Sequence, residues 1–153
     1  MVSFGVACSD SGTGSENDEP ETLRKATYTL NANSNSGTLS DGVLASATFW
    51  ELSETQTVVT LTIDAPTGAN VVHPSHIHFN AAEDGGGIAY FLTPIDGTDP
   101  DVTSARVINE SFDTLVNFDG YINIHESVEN IGNVVSQGNI GSNANVAIED
   151  GLA

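Results

Sequence analysis

The chain has 153 residues, enough for one domain with its own core plus flanking segments. Its 21 Asp and Glu stand against three cations, Arg24, Lys25 and Arg106, for a formal net charge of −18. Nucleic acid and anionic membrane surfaces are therefore not expected as direct partners, since both call for clustered Lys and Arg against phosphate.

Met1 to Ala7 reads MVSFGVA, small and apolar, and is followed at once by Cys8, the one cysteine of the chain. A single thiol forms no intrachain disulfide and builds no cysteine-based zinc finger or iron–sulfur cluster. The polar, acidic run SDSGTGSENDEPET after Cys8 has the composition of a linker, with little to bury. A small residue before a cysteine that opens such a linker resembles the end of a bacterial lipoprotein signal. The expectation is an exported cell-envelope protein, lipidated at Cys8 and touching the membrane only through that anchor.

From Lys25 onward Thr, Val, Ile, Phe and Tyr rise, punctuated by Gly, Asn, Asp and Ser, the signature of short strands between turns. Strands are expected at 26–31, 43–52 and 56–65, the last two as a hairpin in which Val59, Leu61 and Ile63 share one face. Of the neighbours Phe49 and Trp50, on opposite faces, at least one should be core. Further strands are expected at 75–80 (SHIHFN), 88–93 (IAYFLT), 120–126 (GYINIHE) and 134–140, with 105–109 and 114–118 each readable as strand or short helical turn. Asp96 to Asp101 reads as an acidic loop, solvated rather than calcium-binding, since it lacks the EF-hand spacing. No apolar run reaches the roughly 18 residues of a membrane-spanning helix, and no long apolar stripe of helical period appears. Many short strands with regular turns argue for an all-β, immunoglobulin-like antiparallel β-sandwich. The expected organisation is a signal remnant at 1–7, a lipidated tether at 8–25, the sandwich domain at 26–142 and a C-terminal tail at 143–153.

The chemistry lies in the histidines. His76 and His78, at i and i+2 of one strand, point to one face while Ile77 and Phe79 point to the other. In GYINIHE, Ile122 and Ile124 share one face, and Tyr121, Asn123 and His125 the opposite one. With the apolar faces turned inward, Ile77, Phe79, Ile122 and Ile124 are expected in the core and the histidines outside it. Residues i and i+2 of a strand stand roughly 6.6 Å apart along the backbone, and a third histidine on a paired strand completes a three-nitrogen site. His73, before Pro74, is a candidate fourth ligand. Neutral imidazole suits copper or zinc better than calcium or magnesium, and the negative charge of the chain favours cation capture. No Ser-His-Asp order or nucleophile elbow is readable and no general base is evident beside the histidines, so binding is expected rather than catalysis.

The pieces His76-Ile77-His78, Gly87 to Leu92 (GIAYFL), Gly120 to His125 (GYINIH) and Gly132 to Gln137 (GNVVSQ) occur in the order found in the chordin-type CHRD domain, which this chain resembles from about Ala26 to Ile140. The chain departs from that family's usual pattern at Phe79, where Gly is usual, and at Asn133, Val135 and Ser136, where Glu, Arg and Gly are. The resemblance implies an immunoglobulin-like sandwich and says little about activity. The histidine pattern is also similar to the copper side of Cu,Zn superoxide dismutase, as a likeness of geometry alone. The alternative function is a metal-free extracellular binding or scaffold module that meets a protein or glycan through its loops.

Overall fold

A computed structural model describes residues 23–68, 71–98 and 104–151. Cys8, the signal remnant and most of the tether lie outside the described residues, as do Asp99 to Asp101 of the acidic loop. The elements in chain order are β1 (Arg24–Ala32), β2 (Ala45–Ser53), β3 (Gln56–Ile63), β4 (Val72–His73), β5 (Ser75–Phe79), β6 (Ile88–Phe91), β7 (Ile95–Asp96), β8 (Ser104–Ile108), α1 (Phe112–Val116), β9 (Asp119–His125), β10 (Val134–Gly141) and β11 (Ile148–Asp150). The protein is all-β, as composition and turn spacing require, and the segment around 114–118 resolves into the one-turn helix α1, capped by Ser111, whose Oγ accepts from the Thr114 N–H.

The strands join into one antiparallel sheet of order β6-β5-β9-β10-β1-β2-β3-β8, with β11 also on β1, while β4 and β7 form a separate small pair. The sheet nearly closes on itself, so its two halves face each other across the core. Strand β1 makes the corner. Lys25–Leu30 pair with β2, and Asn31 and Ala32 turn their other edge to Gln137 and Ser136 of β10. Nearer the start of β1, Arg24–Ala26 pair with β11, so residues of the expected tail and of the expected tether share one ladder. The seam where closure stops lies between β6 and β8, and the Tyr90 hydroxyl donating to Glu110 and the Thr93 hydroxyl donating to the Ala105 carbonyl cross it.

The period-2 pattern of the sequence is the period of burial. Ala26, Tyr28 and Leu30 of β1, Ala45, Ala47 and Phe49 of β2, Val59, Leu61 and Ile63 of β3, Ile77 of β5 and Ile122 and Ile124 of β9 meet in the core. Phe112 and Leu115 of α1 join them. Of the two adjacent aromatics, Phe49 is core, and Trp50 lies half-buried on the other face with its indole N–H donating to the Thr60 hydroxyl. Phe79 corrects the expectation of a core residue. It is 50 % exposed, because it ends β5 where the sheet runs out, and its ring rests on Phe118 at a centroid separation of 5.6 Å. Parity assigned its face correctly, but burial also needs depth along the strand.

Candidate metal centre

Strand β9 lies between β5 and β10, paired to both. Ser75 to Phe79 run opposite Ile124 to Gly120, so His76 stands across from Asn123 and His78 across from Tyr121. His125 is then the diagonal neighbour of His76, two residues beyond its direct partner. Diagonal pairs are within reach of long or aromatic side chains. The rings of His76 and His125 meet at a centroid distance of 5.0 Å, and His78 lies 5.8 Å from His76 and 6.4 Å from His125. One ring nitrogen from each of the three lies within 4.8 Å of one from each of the others.

These side chains occupy the face of the sheet turned away from the apolar core, yet they are buried, His76 to 8 %, His78 to 9 % and His125 to 7 % exposure. Neighbouring groups supply the cover. The exposed Phe91 of β6, directly across from His76, sets its ring edge-on to that imidazole at 5.1 Å. Tyr121 stacks on His78 at 4.9 Å with 15° between the planes. The loop between β5 and β6 brings the Gly86 carbonyl to His78 Nδ1 at 3.0 Å. A carbonyl only accepts, so His78 Nδ1 carries a proton, and in the neutral ring Nε2 then holds the lone pair.

His76 Nδ1 and His125 Nε2 are 3.1 Å apart. Two nitrogens bound to one ion at about 2.0–2.1 Å and a tetrahedral angle stand roughly 3.3 Å apart, so this pair already has the spacing of two ligands. Without an ion, one proton must lie between the two nitrogens, on one ring or the other. An ion held by both would require that proton to sit on the far nitrogen of the same ring, a change of tautomer with no change of charge. His78 Nε2 and His125 Nδ1 are buried with no hydrogen-bond partner. Leaving such atoms unsatisfied costs about 1–3 kcal/mol each, and coordination of His78 Nε2 would remove one of those penalties.

The electrostatics favour the neutral forms of His76 and His125. Burial, reinforced by the neighbouring charges that His125 and His78 would carry, pulls His76 from 6.5 down to about 4. Burial also lowers His125, with the Ile131 backbone opposing the shift and His78 adding to it. Neutral imidazole is the form that binds metal. Glu126, next in sequence, takes no part. Its carboxylate accepts from the Thr38 hydroxyl, the Leu39 N–H and the Asn133 amide, which hold it down to about 2.

The structure thus gathers His76, His78 and His125 and leaves His73 out. His73, fully buried in β4, donates from Nδ1 to the His125 carbonyl at 2.9 Å, while its Nε2 meets the Thr67 hydroxyl at 2.5 Å. Both ring nitrogens are in use, so His73 supports the backbone of a candidate ligand and offers no lone pair to an ion. Residues that sequence reasoning did not assign to the site are Phe91, Tyr121 and Gly86. Tyr121 carried a readable signal, since it shares the face of His125 by strand parity. Phe91 and Gly86 carried none, because a register and a loop path place them. Asn123, between His76 and Gln137, accepts from the Gln137 amide at 2.9 Å and completes the polar floor.

Comparisons of the chain with family models, with curated proteins and with solved structures find no match.

Proposed function

We propose that this chain is an exported, CHRD-like β-domain that captures a copper or zinc ion through His76, His78 and His125. The observation that carries the reading is the convergence of three buried imidazoles, two of them already at ligand spacing and one with an unsatisfied nitrogen. An all-nitrogen set of imidazole ligands favours copper and zinc over calcium and magnesium. The strands fix the ligands before binding, so little ordering entropy opposes capture. Export is supported by the Ala7-Cys8 junction and the linker-like run that follows it.

Calorimetric titration of Cu(II) and Zn(II) into the untagged protein tests the site. One ion per chain is expected in the wild type, with affinity falling at least 100-fold in the His76→Ala/His78→Ala double variant. Equal affinity in both proteins, or binding in neither, overturns the reading. For export, mass spectrometry of the mature N-terminus is expected to find Cys8 first and acylated.

A further inference from the structure

Tyr121 touches His78 in two ways. Its ring stacks on the imidazole, and its hydroxyl accepts the Gly86 N–H at 3.2 Å while the carbonyl of the same Gly86 accepts from His78 Nδ1. One residue therefore fixes both the plane of the imidazole and the glycine whose carbonyl binds its proton. The Gly86 peptide is confined further. Phe79 N–H donates to the Gly87 carbonyl at 3.0 Å, Asn80 donates from its side chain to Gly85 at 2.9 Å, and a Cβ on Gly86 would run into the Phe79 carbonyl. Asn80 takes the left-handed conformation, φ 70°, that this tight return requires.

We propose that Tyr121, acting through Gly86, is the positioning residue that selects Nε2 of His78 as the ligand atom. This rests on the metal reading above and adds to it which nitrogen binds and what decides the choice. A free imidazole exchanges its proton between the two nitrogens, and a ligand with the wrong tautomer must first pay for the switch. Hydrogen bonding of the far nitrogen to a carbonyl sets the tautomer, orients the ring and raises the basicity of the coordinating nitrogen. Between His76 and His125 one ring carries the shared proton and must change tautomer, whereas the Gly86 carbonyl leaves His78 ready to bind through Nε2 with no change.

The test combines ring-nitrogen NMR of histidine with zinc titration, in wild type, Tyr121→Phe and Tyr121→Leu. Tyr121→Phe keeps the stacked ring and removes the hydroxyl, and Tyr121→Leu removes both. In metal-free wild type, His78 is expected as the Nδ1–H tautomer alone, and zinc is expected to perturb its Nε2. Tyr121→Phe is expected to admit the second tautomer and to weaken zinc binding by about 10-fold, and Tyr121→Leu by up to about 100-fold, the usual range for losing an outer-sphere partner. A merely structural role for Tyr121 would lower stability without moving the tautomer. Zinc binding with unchanged tautomer and affinity in both variants overturns the clamp and leaves the metal reading standing. Absence of zinc binding in the wild type overturns both.

Discussion

Nδ1 of His76 and Nε2 of His125 lie 3.1 Å apart although the strand register pairs His76 with Asn123, so the closest contact of the site is a diagonal one. The diagonal sets what a substitution does: removing either ring opens the site, whereas His73, in the separate β4–β7 pair, reaches it only through the His125 carbonyl.

His73→Ala should separate support from coordination. Loss of the ring leaves the His125 carbonyl and the Thr67 hydroxyl without their buried partner, which costs about 1–3 kcal/mol per unsatisfied group. Zinc stoichiometry, read by elemental analysis, is expected to stay at the wild-type value while the urea midpoint falls. Loss of the metal at retained fold would make His73 a ligand after all.

The pH dependence of metal-free stability follows from His76. Its native value is about 4 and its ordinary value 6.5, so between those limits the unfolded chain binds a proton that the native state refuses. Stability then rises with pH across that window. The contribution of a neutral His76 is complete above about pH 6.5 and is lost as pH falls to about 4. Urea titrations in EDTA from pH 7.5 to 4 should show this decline in wild type and a shallower one in His76→Gln. Identical slopes would show that His76 is not held neutral.

Glu126 governs a lower window. Its carboxyl, held at about 2 against an ordinary 4.5, stabilises the fold fully above about pH 4.5 and loses that contribution as pH falls toward 2. Glu126→Gln should lower the thermal midpoint at pH 7, where Thr38, Leu39 and Asn133 all donate to the charged group, and flatten the acid limb below pH 4. A wild-type acid limb in the variant would assign acid sensitivity elsewhere.

Leu61 and Phe79 measure the core. Leu61 is 1 % exposed, and Leu61→Ala is expected to cost about 2–5 kcal/mol. Phe79→Ser removes a half-exposed ring whose ring contact is Phe118, and should cost less than about 1.5 kcal/mol. Denaturation curves that reverse this order would place Phe79 in the core.

Alternation alone identified the strands and their inward faces. Val59, Leu61, Ile63, Ile77, Ile122 and Ile124 are legible because side chains of a strand alternate between two faces, whatever the strand pairs with. The same rule put His76 with His78, and Tyr121 and Asn123 with His125. Parity is a local property and reports a face only. It says nothing of depth, which is why Phe79 at the end of β5 escapes burial and the histidines on the outer face do not. Register, loop path and closure depend on residues far apart in the chain, and only the tertiary structure decides them. The β5–β9 register brought His125 diagonally to His76, the β5–β6 return delivered the Gly86 carbonyl to His78, and the buried contacts of β4 engaged both nitrogens of His73.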